Sequence, residues 1–427
     1  MTVGFFTLGC KVNQADSDAI SAHMAAAGYS PAPPETADIV VVNSCTVTAE
    51  SDRKTRQMLR RFRKLNQDCV LVLTGCAVQV TDNLAQQYPE VDLILGQRDV
   101  CDLAQYIDEL LKFNHPIVSV SSRQRNEAFG SPAQSLSSTR ATLKIQDGCD
   151  HFCSYCIIPH ARGPVRSKPL DDVRNEAKSL VSQGFREIVL VGINLAAYGK
   201  GHDYNLGDAV LAVGESGVAR IRLGSLEPDL LNESITETLS RIKALCPHFH
   251  ISLQSGCDST LTRMGRRYDT LYYADLMVRL RHLFPSASIT TDIMVGFPGE
   301  TEQDHAQSLA FVKQMAFSKV HVFPFSSRPG TPAATFANQL SKAEKQQRVQ
   351  EALSLAKSLN RSFLAAQIGQ THEVLLEQPN KNGELQGYAA NYTPVVVRDA
   401  TPAQQSQLVR VSISHVDGEQ CIGTVTR

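Results

Sequence analysis

The chain has 427 residues, enough for two or three domains with a substantial core. Its 42 basic and 43 acidic side chains leave a net charge of -1, which excludes a generally basic chain, so any nucleic-acid surface has to be local. No charged leader followed by an apolar stretch opens the sequence, no apolar run is long enough to cross a bilayer, and the eleven cysteines do not form a disulfide-dense framework, so the expectation is a soluble protein of a reducing cytoplasm whose thiols serve metals.

In the first eighty or so residues, three apolar, β-branched runs each end just before a cysteine: residues 3–8 before Cys10, 39–42 before Cys45 and 70–73 before Cys76. Helix-like segments over residues 15–27 and 49–65 lie between them, and a fourth run follows at 91–95. The cysteines are 35 and 31 residues apart, about one βαβ unit each. Continuous apolar strands alternating with helices predict a doubly wound parallel sheet covered on both faces, with the carboxyl ends of its strands along one edge. Free cysteines are often simply buried. Repetition at one position of three successive units argues instead for a shared role, a three-cysteine iron–sulfur site with an open iron. Residues 53–64 hold seven cations and no acid, on a predicted helix; this reads either as a solvated face or as a phosphate-binding one.

From 114 to 139 periodicity fades into a serine-rich stretch, read as a linker between a first domain at 1–113 and a second at 140–366. Six strands are predicted at 141–145, 187–191, 220–223, 249–253, 288–294 and 319–323. Helices are expected at 171–183, 230–245, 270–284 and 302–315, with a long final one at 341–366. Six parallel repeats suit an open, partial (β/α)6 TIM-like barrel with its site at the carboxyl ends of the strands. Directly after the first strand comes Cys149, Cys153 and Cys156 in a C-x3-C-x2-C loop. Three thiolates can hold three irons of a 4Fe-4S cube and leave the fourth open, whereas electron-carrying clusters usually have four. The other reading is structural zinc completed by a remote ligand such as His160. Later strand ends carry polar or glycine-rich turns at 192–194, 225–228, 254–256 and 296–300, consistent with one binding edge. Arg263, Arg266 and Arg267 follow the fourth strand, to meet an RNA backbone or to pair with rim acids.

Beyond 367 five short alternating runs, at 372–376, 385–389, 395–398, 408–414 and 421–425, predict a small β-barrel of the oligonucleotide-binding kind. Four basic and six acidic side chains make this stretch net acidic, a poor phosphate binder unless its cations cluster. Tyr388 and Tyr392 are placed to stack on bases or to fill a core. Cys69, Cys101, Cys246, Cys257 and Cys421 show no ligand spacing and read as structural or incidental.

Residues 143–149 and 156–159, flanking and including the cysteine loop, resemble the cluster loop of radical S-adenosylmethionine (SAM) enzymes, specifically the methylthiotransferases. Residues 7–14 resemble the first motif of that family's N-terminal domain, and 367–427 its TRAM domain, which holds tRNA. The resemblance implies two 4Fe-4S clusters, one on Cys149, Cys153 and Cys156 that chelates SAM and cleaves it on reduction, and an auxiliary one on Cys10, Cys45 and Cys76 that presents sulfur. It also implies that Gly192 and Asn194 hold the methionine part of SAM, that Ser225 and Glu227 face the ribose, and that Gly296 and Gly299 pass near the adenine. Tyr155 sits beside that adenine by the same analogy, or packs over the cluster. The product would carry a methylthio group in place of hydrogen, on tRNA, with electrons from a donor such as flavodoxin or ferredoxin and sulfur from a donor the sequence does not name. Residues 9–14 and 41–48 resemble the type acting on threonylcarbamoyladenosine beside the anticodon, with Ser44 where that motif has threonine. The isopentenyladenosine and ribosomal-protein aspartate types share the architecture, and a non-catalytic RNA-binding zinc protein is the alternative from another class.

Overall fold

Continuous apolar strands need cover on both sides, and the first sheet has it. In this computed structural model, which describes residues 1–124, 127, 129 and 139–426, six parallel strands run in the order Ser30–Pro31, Thr2–Thr7, Ile39–Ser44, Val70–Gly75, Leu93–Leu95, Ile117–Ser119. Val40, Val42, Leu71 and Leu73 face Leu59 and Phe62 of the helix Ala49–Leu65. Ile39, Val41 and Val72 face Ile20 and Met24 of Lys11–Ala26 and Ile107 of Leu103–Phe113. Thr7 pairs with Asn43 and Asn43 with Thr74, so the three central strands end level and each releases a cysteine at the same edge.

The chain departs from the sequence reading at Ile117–Ser119. This short run pairs with Leu93–Leu95 and extends the sheet by an edge strand, where three residues bury too little to show a periodicity. Residues 125, 126, 128 and 130–138 of the expected linker, and the cation Arg427, lie outside the described residues.

The central strands Ala141–Lys144, Glu187–Val191, Arg220–Leu223, His248–Ile251, Ser288–Val295 and Lys319–Pro324 are parallel to their sequence neighbours and form an open, partial TIM-like barrel. Between the third and fourth the contact narrows to a bridge from Ile221 to Leu245, with Ser225–Leu226 pairing beyond it. Outward-facing Ile188, Leu190, Ile221, Leu223, Ile289 and Ile293 pack on the helices. The helix expected over 230–245 is only Glu233–Ser240: Asn232 caps it by accepting from the Ile235 amide at 2.9 Å, which leaves Leu230 and Leu231 in the preceding turn.

Two other units close the open barrel. Val12 and Ala15 of the first domain pack on Val189 and Val191, on the inner face of the second strand. At the tail, Thr371–Pro379, Leu385–Ala389, Pro394–Val397, Leu408–Asp417 and Gln420–Val425 form a closed five-stranded barrel, its core joined to Leu364 of the helix Lys342–Ala365. Its Tyr388 and Tyr392 stack at 4.5 Å, and Tyr392 also stacks on His248 at 4.5 Å and lies under Arg222. Arg222 forks onto buried Glu187, at 2.8 and 3.2 Å, and reaches the carbonyls of Ala389 and Ala390. The two tyrosines are thus spent on holding domains together, not offered to bases.

Candidate functional site

At the carboxyl edge of the first sheet the chain turns so tightly that only glycine fits. Gly75 has φ +100, and a Cβ there would lie 2.4 Å from the Ser44 carbonyl oxygen and 2.5 Å from Asn43 Oδ1. The turn delivers Cys76 to the start of a short buried helix, Cys76–Val80. A Cβ on Gly9 would likewise lie 2.9 Å from Cys45 Cβ and 3.1 Å from its Sγ, so the loop bearing Cys10 closes directly over Cys45. Asn13 ties the three ends: its Nδ2 donates to the Ser44 carbonyl at 2.9 Å, and its Oδ1 faces the thiols of Cys10 at 3.5 Å and Cys76 at 3.9 Å. Burial pushes the Cys76 thiol up to about 11, and Cys45 and Cys10 push it the same way. The sequence placed Cys10, Cys45 and Cys76 together, and the structure does so.

Cys149, Cys153 and Cys156 follow the first barrel strand in a loop pinned at its base, where the Cys149 amide donates to the Gly163 carbonyl at 3.1 Å. Gly148 (φ +74) makes that crossing possible, since a Cβ would sit 2.0 Å from the Pro164 oxygen. Burial drives Cys156 up to about 12, with Cys153 and Cys149 adding to it. Asn194 reaches Cys149 Sγ from Nδ2 at 3.8 Å, and its buried Oδ1 has no partner. Gln146 shapes this corner, accepting from the Asn194 amide at 2.7 Å and standing 2.7 Å from where a Gly192 Cβ would be.

Arg266 was legible only as a surface cation. In the structure its side chain is 2% exposed, ion-paired to Glu227 and within 3.3 Å of both Cys153 Sγ and the Tyr155 hydroxyl. Tyr155 packs edge-on to Phe297, with centroids 6.4 Å apart. Phe297 is therefore the residue of that turn that meets the cysteine loop; Gly296 lies against Lys345 and Gly299 beside Arg263. Ser225 is exposed next to Glu227. Arg263 pairs with Asp304 at 3.2 Å, and Arg267 donates to the Asp150 carbonyl at 3.2 Å. Along the cationic helix, Arg53 pairs with Glu50 and Arg63 with Asp92, and Arg56 lies over Tyr88, so neighbours absorb much of that charge.

One residue ties the element after the second cysteine loop to the first triad, and no sequence signal announced it. Arg162 ends the short helix Ile158–Arg162 after the second loop and is 1% exposed. It donates from Nε to Cys76 Sγ at 3.2 Å, from Nη2 to Asn13 Oδ1 at 2.8 Å and from Nη1 to Asp16 at 2.7 Å, with Asp147 at 3.5 Å. A fixed cation thus stands against the first triad.

The donor sets discriminate between metals. Sulfurs around a single zinc lie about 3.8 Å apart. Among the described residues, no three Cys, His, Asp or Glu side chains within either triad bring their ligand atoms within 4.8 Å of one another, although the thiols of each triad are close enough to repel. That wider spacing, three sulfur ligands and a neighbouring cation fit a multi-iron cluster with an open iron and not single-ion zinc. Gly75→Ala is accordingly expected to displace Cys76 and to lower the iron content of reconstituted protein by about half, one of two clusters; iron and sulfide analysis checks this.

Comparison with known proteins bears on the same residues. Residues 2–96 match the family model described as "Uncharacterized protein family UPF0004", and 143–312 match that of the radical SAM superfamily. The chain is 38% identical to threonylcarbamoyladenosine tRNA methylthiotransferase MtaB of Bacillus subtilis, over 96% of this chain and 93% of that protein. The chain belongs to the radical SAM methylthiotransferase family. The MtaB of Thermotoga maritima is 37% identical over 92% of this chain and 90% of its own length. A tRNA-2-methylthio-N(6)-dimethylallyladenosine synthase of Carboxydothermus hydrogenoformans is 31% identical over 96% and 97%. Of solved structures, the radical SAM methyltransferase TsrM of Kitasatospora setae, with cobalamin and a [4Fe-4S] cluster bound, superposes with TM-score 0.57 at 16% identity, over 78% of this chain and 77% of that one; the likeness is one of fold. In this methylthiotransferase, no helix among the described residues is long and apolar enough to cross a membrane.

Proposed function

We propose that this chain replaces the C2 hydrogen of N6-threonylcarbamoyladenosine, 3′ of the anticodon in tRNA, by a methylthio group. The observation that carries the reading is the 37–38% identity, over more than nine-tenths of this chain, to two proteins named for that nucleoside. On this reading residues 1–113 form the auxiliary-cluster domain, 114–139 a linker, 140–366 the radical SAM core and 367–427 a TRAM-like barrel. Cys149, Cys153 and Cys156 hold the SAM-binding 4Fe-4S cluster, and Cys10, Cys45 and Cys76 the auxiliary one.

When bound, SAM on a reduced cluster supplies the one-electron chemistry that opens an inert C–H bond, and the auxiliary cluster supplies the sulfur. The chain's own residues position these groups. Asn194, with an unpartnered buried oxygen beside Cys149, offers an acceptor to an incoming ammonium, and Glu227 offers its carboxylate to hydroxyls. Arg266 fixes Glu227, Tyr155 and Cys153 relative to one another, so the loop cannot shift without breaking a buried ion pair. Phe297, Met264 and Phe325 form an apolar floor next to Tyr155 that keeps water from the loop. Arg162 neutralises negative charge gathered at Cys76 and ties the first triad's domain to the loop domain. A cytoplasmic electron donor such as flavodoxin or ferredoxin completes the system.

The test is mass analysis of nucleosides from tRNA that carries threonylcarbamoyladenosine, after anaerobic incubation with cluster-reconstituted protein, SAM and a strong reductant. The methylthio derivative of that nucleoside is the expected product. SAM cleavage without it, together with methylthiolation of isopentenyladenosine tRNA, would overturn the substrate and keep the reaction class.

A further inference from the structure

The inner face of the half-barrel carries a side-chain cluster that the two cysteine sites do not use. His250, Asp292 and His321 stand on three adjacent parallel strands, His248–Ile251, Ser288–Val295 and Lys319–Pro324. The register sets His250 beside Thr290 and Asp292 beside His321, so alternation turns all three toward the interior, opposite the apolar positions Ile289 and Ile293 that face the helices. One ligand atom from each lies within 4.8 Å of the other two. His250 Nε2 is 3.2 Å from Asp292 Oδ2, and the His250 and His321 rings are 5.8 Å apart.

We infer that His250, Asp292 and His321 form a site for a divalent transition-metal cation, separate from both iron–sulfur sites. Two imidazoles and one carboxylate are the donor set that zinc, iron(II), cobalt(II) and manganese(II) accept, whereas magnesium and calcium favour all-oxygen sites. The second observation is the state of His250. Its Nδ1 lies 2.9 Å from Thr290 Oγ1, which fixes the ring with Nε2 3.2 Å from Asp292 Oδ2. A ligating histidine is ordinarily held this way through its other nitrogen. Bonds of about 2.0–2.2 Å set ligand atoms roughly 3.4 Å apart, a spacing that His250 and Asp292 already have at 3.2 Å, so any drawing-in falls to His321. His321 is exposed, so that movement is open to it. Three protein ligands leave further positions for water or for an oxygen donor, such as a carboxylate, entering the half-barrel. The site does not depend on which nucleoside the enzyme takes.

Zinc is the probe. Crystals of the cluster-reconstituted protein, soaked anaerobically in zinc and measured on both sides of its absorption edge, are expected to show an anomalous peak within bonding distance of all three side chains. Calorimetric zinc titration is expected to lose this binding event in Asp292→Asn and in His321→Ala, and Thr290→Val is expected to weaken it roughly 10-fold. His321→Ala changes an exposed side chain, so its loss of binding is not a loss of fold. Zinc found only at the cysteines, or an unchanged binding event in His321→Ala, would overturn the proposal.

Discussion

Cys153→Ala is expected to abolish SAM cleavage, whereas Cys45→Ala is expected to leave SAM cleavage running and to yield no methylthio nucleoside. The two thiols are both buried, but they belong to different domains and different polar surroundings. Cys153 lies under Arg266, in the cluster that also holds Tyr155 and Glu227. Removing it takes one of three ligands from the site expected to bind SAM, and two cysteines cannot hold a cube with one open iron. Cys45 sits beneath Gly9, just after the strand Ile39–Ser44 of the first sheet. On the proposed assignment its loss takes a ligand from the sulfur-presenting site and leaves the SAM site its three thiols. The measurement is paired quantification of 5′-deoxyadenosine and the methylthio nucleoside in each variant. Full methylthiolation by Cys45→Ala would sink the placement of the sulfur site.

Most of the architecture was legible because it rests on local signals. An apolar run bounded by turn residues marks a strand covered on both faces, and three such runs ending in cysteine are enough to place Cys10, Cys45 and Cys76 at one edge. The six barrel strands were found the same way. What sequence did not show is what depends on which surfaces meet. Arg162 and Arg266 look like any cation in a loop, and only tertiary packing, Arg162 against the first domain and Arg266 across the barrel mouth, removes them from water. Tyr388 and Tyr392 carried a binding signature in the alternation of a small barrel, yet they stack between Arg222, Arg140 and His248 at a domain contact. The cluster of His250, Asp292 and His321 escaped for the same reason: its members are 42 and 29 residues apart, and only strand register makes them neighbours.

Arg162→Met is expected to weaken the union of the first domain with the barrel by about 3–5 kcal/mol, the usual cost of removing one partner from a buried ion pair. The methionine fills similar space but cannot donate, so Asp16 loses its 2.7 Å partner and Asn13 its 2.8 Å one. Asp16 keeps Lys144 at 2.6 Å, and Asp147 keeps Lys144 and Arg166, so the network is damaged and not erased. Burial alone would raise both carboxyls; the cations overcome it and hold Asp16 and Asp147 below the ordinary carboxylate range. A depressed folded pKa contributes stability above the unfolded pKa, about 3.9 for aspartate, and that contribution fades as pH falls toward the folded value. Without Arg162 the depression is smaller, so the stability gap between wild type and variant is widest near neutrality and narrows below about pH 4. Chemical denaturation across that range measures it. A cation beside Cys76 also favours the more negative, reduced form of anything bound there, so the variant's auxiliary-cluster potential is expected to move more negative, and Arg162→Lys, which keeps the charge, is expected to restore most of it. Redox titration followed by electron paramagnetic resonance reads that shift. A potential unchanged in Arg162→Met would reduce Arg162 to a structural strut, because loss of packing alone does not move a charge.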